Sequence, residues 1–92
     1  TLSEMLSTFT YAVDLVIYNA GMDPHERCDI GGLSGVTDDV IRERERMVFR
    51  WCSERSFPVA FALAGGYTGA LLDKKMLTGL HRVTVSEAAK LR

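Results

Sequence analysis

Two side chains that could do chemistry follow the two apolar runs of this 92-residue chain. Asp23 comes shortly after the run at residues 15–18, and Tyr67 comes shortly after the run at residues 59–64. In open α/β sheets, ligands bind outside the carboxyl ends of the strands. If both runs are parallel strands, Asp23 and Tyr67 lie at the same edge of the sheet. This placement is the strongest functional signal in the residues themselves.

Each of these side chains also has a purely structural interpretation. Asp23 precedes Pro24, a pair that often begins a turn, and Tyr67 can be an aromatic residue packed at the start of a helix. Taken singly, the structural interpretation is preferred for each residue. With both at one edge, and with Gly65 and Gly66 allowing a close approach of the backbone, the structural and functional interpretations are evenly balanced.

Other residues of chemically reactive types give weaker evidence of a functional role. The loop after the first run contains four residues of metal-binding types: Asp23, His25, Glu26 and Cys28. They could form a self-contained or intersubunit metal site, but a solvent-facing loop is preferred because no second ligand pair matches them. His81 is interpreted as packed within an apolar helix rather than catalytic. The alternating charges of residues 42–46 are interpreted as a solvated helix face with ion pairs.

The elements that must position these residues follow the order α-β-α-β-α. Thr1 and Glu4 form a predicted capping box for a short first helix. The unbroken apolar runs at 15–18 and 59–64 are typical of strands buried on both faces of a parallel sheet. Thr37 is a good N-cap for the middle helix. The apolar stripe of that helix comprises Val40, Ile41, Met47, Val48, Trp51 and Cys52. Residues from about 69 to 91 predict a last helix, weakened by Gly79.

Strands that alternate with helices predict an α/β fold in which two parallel strands are joined by a right-handed crossover. Two such strands cannot bury both faces with three helices, so residues 1–92 are expected to be a single partial domain. The chain also begins at Thr1 rather than Met, with regular structure at once. We therefore expect a piece of a larger protein that self-associates through uncovered strand edges and apolar helix faces.

Composition excludes several classes of partner. The net charge is −1, with acidic and basic residues mixed, so there is no electrostatic footprint for nucleic acid or for an anionic membrane. No apolar run approaches the ~20 residues of a membrane span. Two cysteines are too few for a disulfide framework, which favours a reduced, cytoplasmic location.

A series of short motifs in a fixed order identifies a family resemblance. The motifs are residues 18–24 (YNAGMDP), residues 29–33 (DIGGL), a helix opening at Thr37 with Arg44-Glu45-Arg46, and residues 64–67 (AGGY). Over about residues 14–68, this series resembles the C-terminal portion of the histone deacetylase superfamily. It is closest to the class IV-like branch, with the bacterial acetoin-utilisation-type deacetylases. The resemblance implies a fragment of the three-layer α/β/α arginase–deacetylase fold.

The resemblance also implies roles for individual residues. Asp23 matches the aspartate that ligates the catalytic zinc, and Tyr67 matches the tyrosine that polarises the acyl carbonyl and stabilises the oxyanion. Gly65 and Gly66 match the turn that presents this tyrosine in the substrate pocket. The implied parent is a zinc-dependent hydrolase that removes an acetyl or longer acyl group from an amine such as lysine or a polyamine.

The chain departs from the family at two points. Cys28 occupies the position of a usual acidic residue, and the acid comes one position later, at Asp29. The family's Asp-x-His zinc ligands and general-base histidines, which precede this region, are absent. A catalytic zinc normally takes three protein ligands. We therefore expect a chain that is inactive alone and holds zinc weakly, with the rest of its catalytic domain or a second copy as partner. The alternative is a non-enzymatic deacetylase-like remnant that self-associates or binds protein, so the chain's status as an enzyme stays open.

Overall fold

A computed structural model describes residues 1–29 and 31–91. The described elements are α1 (Leu2–Thr8), β1 (Val16–Gly21), α2 (Asp38–Glu54), β2 (Val59–Ala64) and α3 (Lys74–Ala89). β1 and β2 pair in parallel, with Val16 opposite Val59 and Gly21 opposite Ala64. The predicted order α-β-α-β-α and the α/β class with two parallel strands are confirmed.

The strands end where backbone pairing ends. β2 coincides with the predicted apolar run, whereas β1 begins one residue later than predicted and continues to Gly21. The ladder runs through Gly21 and is followed by a hydrogen bond from the Met22 amide to the Ala64 carbonyl, at 3.2 Å. The polar and small residues at the end of β1 are therefore strand residues, because pairing with β2 outweighs their low strand propensity.

The helices begin at side-chain caps. The Thr1 hydroxyl accepts from the Glu4 amide at 3.2 Å, and the Glu4 carboxylate accepts from the Thr1 amino group, which confirms the capping box. Thr37 caps α2 by accepting from the Val40 amide at 3.4 Å. The predicted start of α3 near residue 69 is wrong. Asp73 is its N-cap and accepts from the Met76 amide at 2.8 Å, so residues 69–73 form the turn that precedes the helix.

The helices cover one face of the sheet. Phe49 of α2 is 1% exposed and packs edge-to-face on Tyr18 of β1 and Phe61 of β2, with ring centroids 5.8 and 5.5 Å away. A second buried cluster lies where α2 and α3 meet the loops after the strands; it consists of Met22, Cys28, Ile41, Leu72 and Leu80. This core therefore extends to the carboxyl edge of the sheet.

The opposite face of the sheet is uncovered in this chain. Its residues, which alternate with those that face the helices, are exposed: Ile17, Asn19, Ala60 and Ala62. Ile17 has 76% of its surface exposed. Burial of both strands on both faces does not occur within the described chain, which agrees with the expectation that its three helices cannot cover both faces.

Trp51 of α2 makes the main described contacts with α1 and the segment after it. Its indole Nε1 donates a hydrogen bond to the Leu6 carbonyl at 2.9 Å, and its ring packs edge-to-face with Phe9 and Phe57. The Arg55 guanidinium lies over the same ring, 4.8 Å from its centroid. Within residues 1–29 and 31–91, no helix has both the length and the apolar character that a bilayer span requires.

Candidate metal and acyl site at the carboxyl edge of the sheet

The loops after β1 and β2 are joined by a hydrogen bond between Gly66 and Asp23. The backbone amide of Gly66 donates to Oδ1 of Asp23, whose side chain is half-buried. Gly65 and Gly66 both have positive φ angles, +62° and +83°. A Cβ on Gly65 would lie 2.6 Å from Asp23 Oδ1, and a Cβ on Gly66 would lie 2.6 Å from Leu77 Cδ1. Glycine is thus required at both positions by conformation and by space.

Tyr67 follows this turn directly. Its side chain is 56% exposed, and its backbone carbonyl lies 3.8 Å from the buried Sγ of Cys28 in the loop after β1. The same two loops touch again where Gly69 lies against the carboxylate of Asp29. The structure therefore brings Asp23, Gly65 and Gly66 together, and Tyr67, the next residue along the chain, is exposed.

His25 forms a partly buried hydrogen bond with Asp38. It is 1% exposed, its Nε2 lies 2.6 Å from Oδ1 of Asp38, and its Nδ1 accepts from the Arg27 amide at 3.2 Å. Because Nδ1 accepts, the proton resides on Nε2 and is donated to Asp38. Neither ring nitrogen has a lone pair free for a metal. The bond also ties the loop that carries Asp23 to the first turn of α2.

The four metal-binding residue types of this loop do not converge. His25 is bonded to Asp38, Cys28 is buried against the Tyr67 carbonyl, and Glu26 is exposed. Across the described ranges 1–29 and 31–91, no three His, Cys, Asp or Glu side chains gather as a metal-binding group. His81 is half-buried on α3, and its Nδ1 is enclosed without a hydrogen-bond partner in the described residues.

Arg44 and Glu45 form a network that sequence reasoning missed. Arg44 donates from Nη1 to the Gly21 carbonyl and from Nε to Glu45 Oε1, both at 2.6 Å. The Tyr18 hydroxyl donates to the same Glu45 oxygen, and Glu45 is 0% exposed. The interpretation of residues 42–46 as a solvated face is therefore wrong for these two. Helical spacing was the available signal, because Glu45 lies four residues after Ile41 and three before Val48, on the apolar stripe.

This network changes the acidity of Tyr18. Burial, and after it the hydrogen bond to the Glu45 carboxylate, raises the pKa of Tyr18 well above its ordinary value of 10.0. The nearby Arg44 charge opposes that rise and lies 5.8 Å from the Tyr18 ring centroid. Tyr18 thus remains a protonated donor over a wide pH range, which keeps Glu45 and Arg44 in place.

A second ionic cluster joins α2 to α3. Glu87 is 4% exposed and accepts from Arg42 at 3.3 Å, from Arg46 at 3.1 Å and from Lys90 at 3.2 Å. Burial alone would raise the pKa of Glu87, but the bonds from Lys90 and Arg42 and the charge of Arg46 outweigh it and lower the pKa. The two arginines of the cluster therefore join the C-terminal part of α3 to α2.

Comparison with known proteins finds partial sequence similarity to two larger proteins. Over 60 residues, the chain is 38% identical to an uncharacterized protein of Picosynechococcus sp.; the match covers 65% of this chain and 20% of that protein. Over 54 residues, it is 41% identical to histone deacetylase 2 of Arabidopsis thaliana, which covers 59% of this chain and 14% of that protein. The matched region thus spans a fifth or less of each relative. No family model and no solved structure matches the chain.

The fold and these comparisons establish the fold class of the chain and a partial sequence similarity. The chain is an α/β protein with a parallel strand pair, and 54 of its residues are similar to part of a plant histone deacetylase. Its distinctive feature is a carboxylate, two glycines and an accessible tyrosine at the carboxyl edge of the sheet.

Proposed function

We propose that this chain is the C-terminal part of a zinc-dependent deacetylase with the arginase–deacetylase fold. The substrate class is an N-acyl amine of the acyl-lysine or acyl-polyamine type. The observation that carries the proposal is the hydrogen bond from the Gly66 amide to Asp23, which joins the two strand-end loops beside Tyr67. The similarity to histone deacetylase 2 supports the same assignment.

Asp23 fits the role of one metal ligand. Its Oδ1 is oriented by the Gly66 amide, and in the described residues no hydrogen bond is given to Oδ2. An oriented carboxylate with a free oxygen is typical of metal ligands, whose outer contacts fix their direction. A zinc ion held there would supply Lewis acidity to the acyl carbonyl and to a water. Since catalytic zinc takes about three protein ligands, the remaining ones come from the rest of the domain or from a second copy.

Tyr67 is proposed to donate a hydrogen bond from its hydroxyl to the acyl carbonyl oxygen and to the oxyanion that forms when this carbonyl is attacked. A fixed donor at this position stabilises charge that exists only in the transition state. The left-handed turn at Gly65 and Gly66 sets the direction in which residue 67 leaves the strand, and the contact between Cys28 and the Tyr67 carbonyl anchors that backbone. The 92-residue chain alone is expected to be inactive.

Two experiments test this function. The coding sequence upstream of the Thr1 codon should contain, in frame, an Asp-x-His motif and paired histidines. The protein encoded by that longer frame should deacetylate an acetyl-lysine peptide with bound zinc. Tyr67→Phe should lower kcat by about 100- to 1000-fold while the zinc content stays unchanged. Asp23→Ala should lose the zinc itself.

Tyr11→Phe is the matched control, because Tyr11 is 75% exposed and lies in the segment between α1 and β1, before the strand that leads to the candidate site. Full activity in Tyr67→Phe, or zinc retained at wild-type affinity in Asp23→Ala, would refute the assigned roles.

One observation favours the second candidate function, a non-enzymatic module. The sheet face that contains Ile17 is exposed, and three of its four residues are apolar, as expected of a surface that binds another protein or a second copy. A start codon beside Thr1, together with stable self-association and no zinc bound below millimolar concentration, would favour this module over the deacetylase.

A further inference from the structure

Arg44 makes its contacts at the end of β1, immediately before Asp23. Its guanidinium donates to the Gly21 carbonyl at 2.6 Å and approaches Met22 Sδ at 3.9 Å, and it lies over the ring of Tyr18. These three partners belong to the last part of β1 and to the residue that follows it. The Arg44 side chain is 21% exposed, so the contacts are largely shielded from water.

We propose that Arg44 is a positioning residue that fixes the carboxyl end of β1, so that the Asp23 carboxylate meets the Gly66 amide. The inference rests on the proposed function only in treating Asp23 as a metal ligand. Arg44 acts through the backbone of residues 21–23 and does not itself touch the metal or the acyl group.

Glu45 explains why the guanidinium stays in this place. It is fully buried, and its Oε1 accepts from both Arg44 Nε and the Tyr18 hydroxyl. A planar guanidinium can donate from Nε to one acceptor and from Nη1 to another in a fixed geometry, whereas an ammonium is a point donor on a flexible stem. Glu45 thus orients the Arg44 guanidinium by accepting from Nε, and this orientation directs Nη1 at the Gly21 carbonyl.

The neighbouring arginines of α2 serve a different element. Arg42 and Arg46 both donate to Glu87 of α3, at 3.3 and 3.1 Å, and make no contact of this kind with β1 in the described residues. The effect on Asp23 is therefore specific to Arg44. Arg42 provides a matched control, because it has the same chemistry on the same helix.

Amide hydrogen exchange of the 92-residue chain tests the inference without any metal. We expect Arg44→Met to speed exchange of the Gly66 amide by about tenfold, the factor that corresponds to one net hydrogen bond. The Gly69 amide, which bonds to the Leu72 carbonyl, should be unchanged. Arg42→Met should leave Gly66 at its wild-type rate.

Arg44→Gln, which keeps a neutral hydrogen-bond donor at this position, is a second variant in case Arg44→Met does not fold. The same loss of Gly66 protection is expected. Wild-type exchange at Gly66 in either folded variant would overturn the proposal. Global unfolding of both variants, with Arg42→Met folded, would also overturn it, because Arg44 would then contribute to general stability rather than to local position.

Zinc titration of the longer protein separates this inference from the proposed function. Arg44→Met should weaken zinc affinity by about 10- to 100-fold, as outer contacts of a metal ligand do, with Arg42→Met as control. If the wild-type protein binds no zinc, the proposed function fails, while the exchange experiment still decides the positioning role of Arg44.

Discussion

The Gly66 amide donates a hydrogen bond to the carboxylate of Asp23, across the carboxyl edge of the two parallel strands. The donor belongs to the loop after β2 and the acceptor to the loop after β1, so neither loop can move without disturbing the other. The Gly66 amide can approach the Asp23 carboxylate this closely because both Gly65 and Gly66 adopt left-handed backbone conformations.

Replacing Gly66 should therefore damage both stability and the candidate site. Gly66→Ala places a Cβ at a φ of +83° and 2.6 Å from Leu77 Cδ1. We expect a loss of about 1–2 kcal/mol in the free energy of unfolding, measured with urea at a fixed protein concentration.

Gly79→Ala is the control for this change, because a Cβ there meets no atom within 4 Å and the residue lies inside α3. It should stabilise the chain by about 0.5–1 kcal/mol through helix propensity. A Gly66→Ala variant as stable as the wild type would contradict the geometry of the turn.

Tyr18→Phe should lower stability in a pH-dependent way. The variant leaves buried Glu45 with one donor fewer, at a cost of about 2 kcal/mol near neutral pH. The pKa of Tyr18 is raised in the folded state, so its contribution is fully present below the unfolded pKa of about 10 and declines as pH rises above it.

The difference between Tyr18→Phe and the wild type should thus shrink above about pH 10. Unfolding followed at several alkaline pH values measures it, with the exposed Tyr11→Phe as control. A difference that stays constant through this range would show that Tyr18 is not a buried donor to Glu45.

Glu87→Gln should uncouple α3 from α2 under neutral conditions. The pKa of Glu87 is lowered in the folded state, so its contribution is present above the unfolded value of about 4.3 and is lost as pH falls through the folded pKa. We expect the variant to be about 1 kcal/mol less stable at neutral pH and equal to the wild type in acid. Thermal unfolding across this range is the measurement; equal stability at neutral pH would contradict it.

The uncovered sheet face predicts self-association of the 92-residue chain. Ile17 is 76% exposed on a face whose other residues include Ala60 and Ala62, so contact of its side chain with water is unfavourable. Sedimentation should show oligomers at micromolar concentration, and Ile17→Lys should shift them toward monomer. Ser53→Lys, on the exposed surface of α2, is a control for added charge. A compact wild-type monomer would refute this prediction.

Patterns of apolar residues and caps are sufficient to predict the element order, the bounds of β2 and the starts of α1 and α2. β2 coincides with its apolar run, and Thr1 and Thr37 cap the helices as expected. The same patterns failed for α3, because Gly69 and Leu72 form a turn whose bond depends on the neighbouring loop. Local sequence does not specify such contacts.

The structure confirms that Asp23 and the glycine turn lie at one edge of the sheet, and their roles stay predictions. Parallel strands at one edge account for Asp23 and the glycine turn. The types of Arg44 and Glu45 predict exposure to solvent, because charged residues are mostly exposed, and they do not show that a tyrosine on β1 lies opposite. His25 likewise found a partner, Asp38, thirteen residues away.

Trp51 gives this chain a built-in optical reporter. It is the single tryptophan of the sequence, and its indole is bonded to the Leu6 carbonyl with Arg55 stacked on the ring. Release of α1 from α2 would expose the indole to water and remove the guanidinium from its face. The emission of one fluorophore therefore separates detachment of the first helix from events at the sheet edge, where no tryptophan lies.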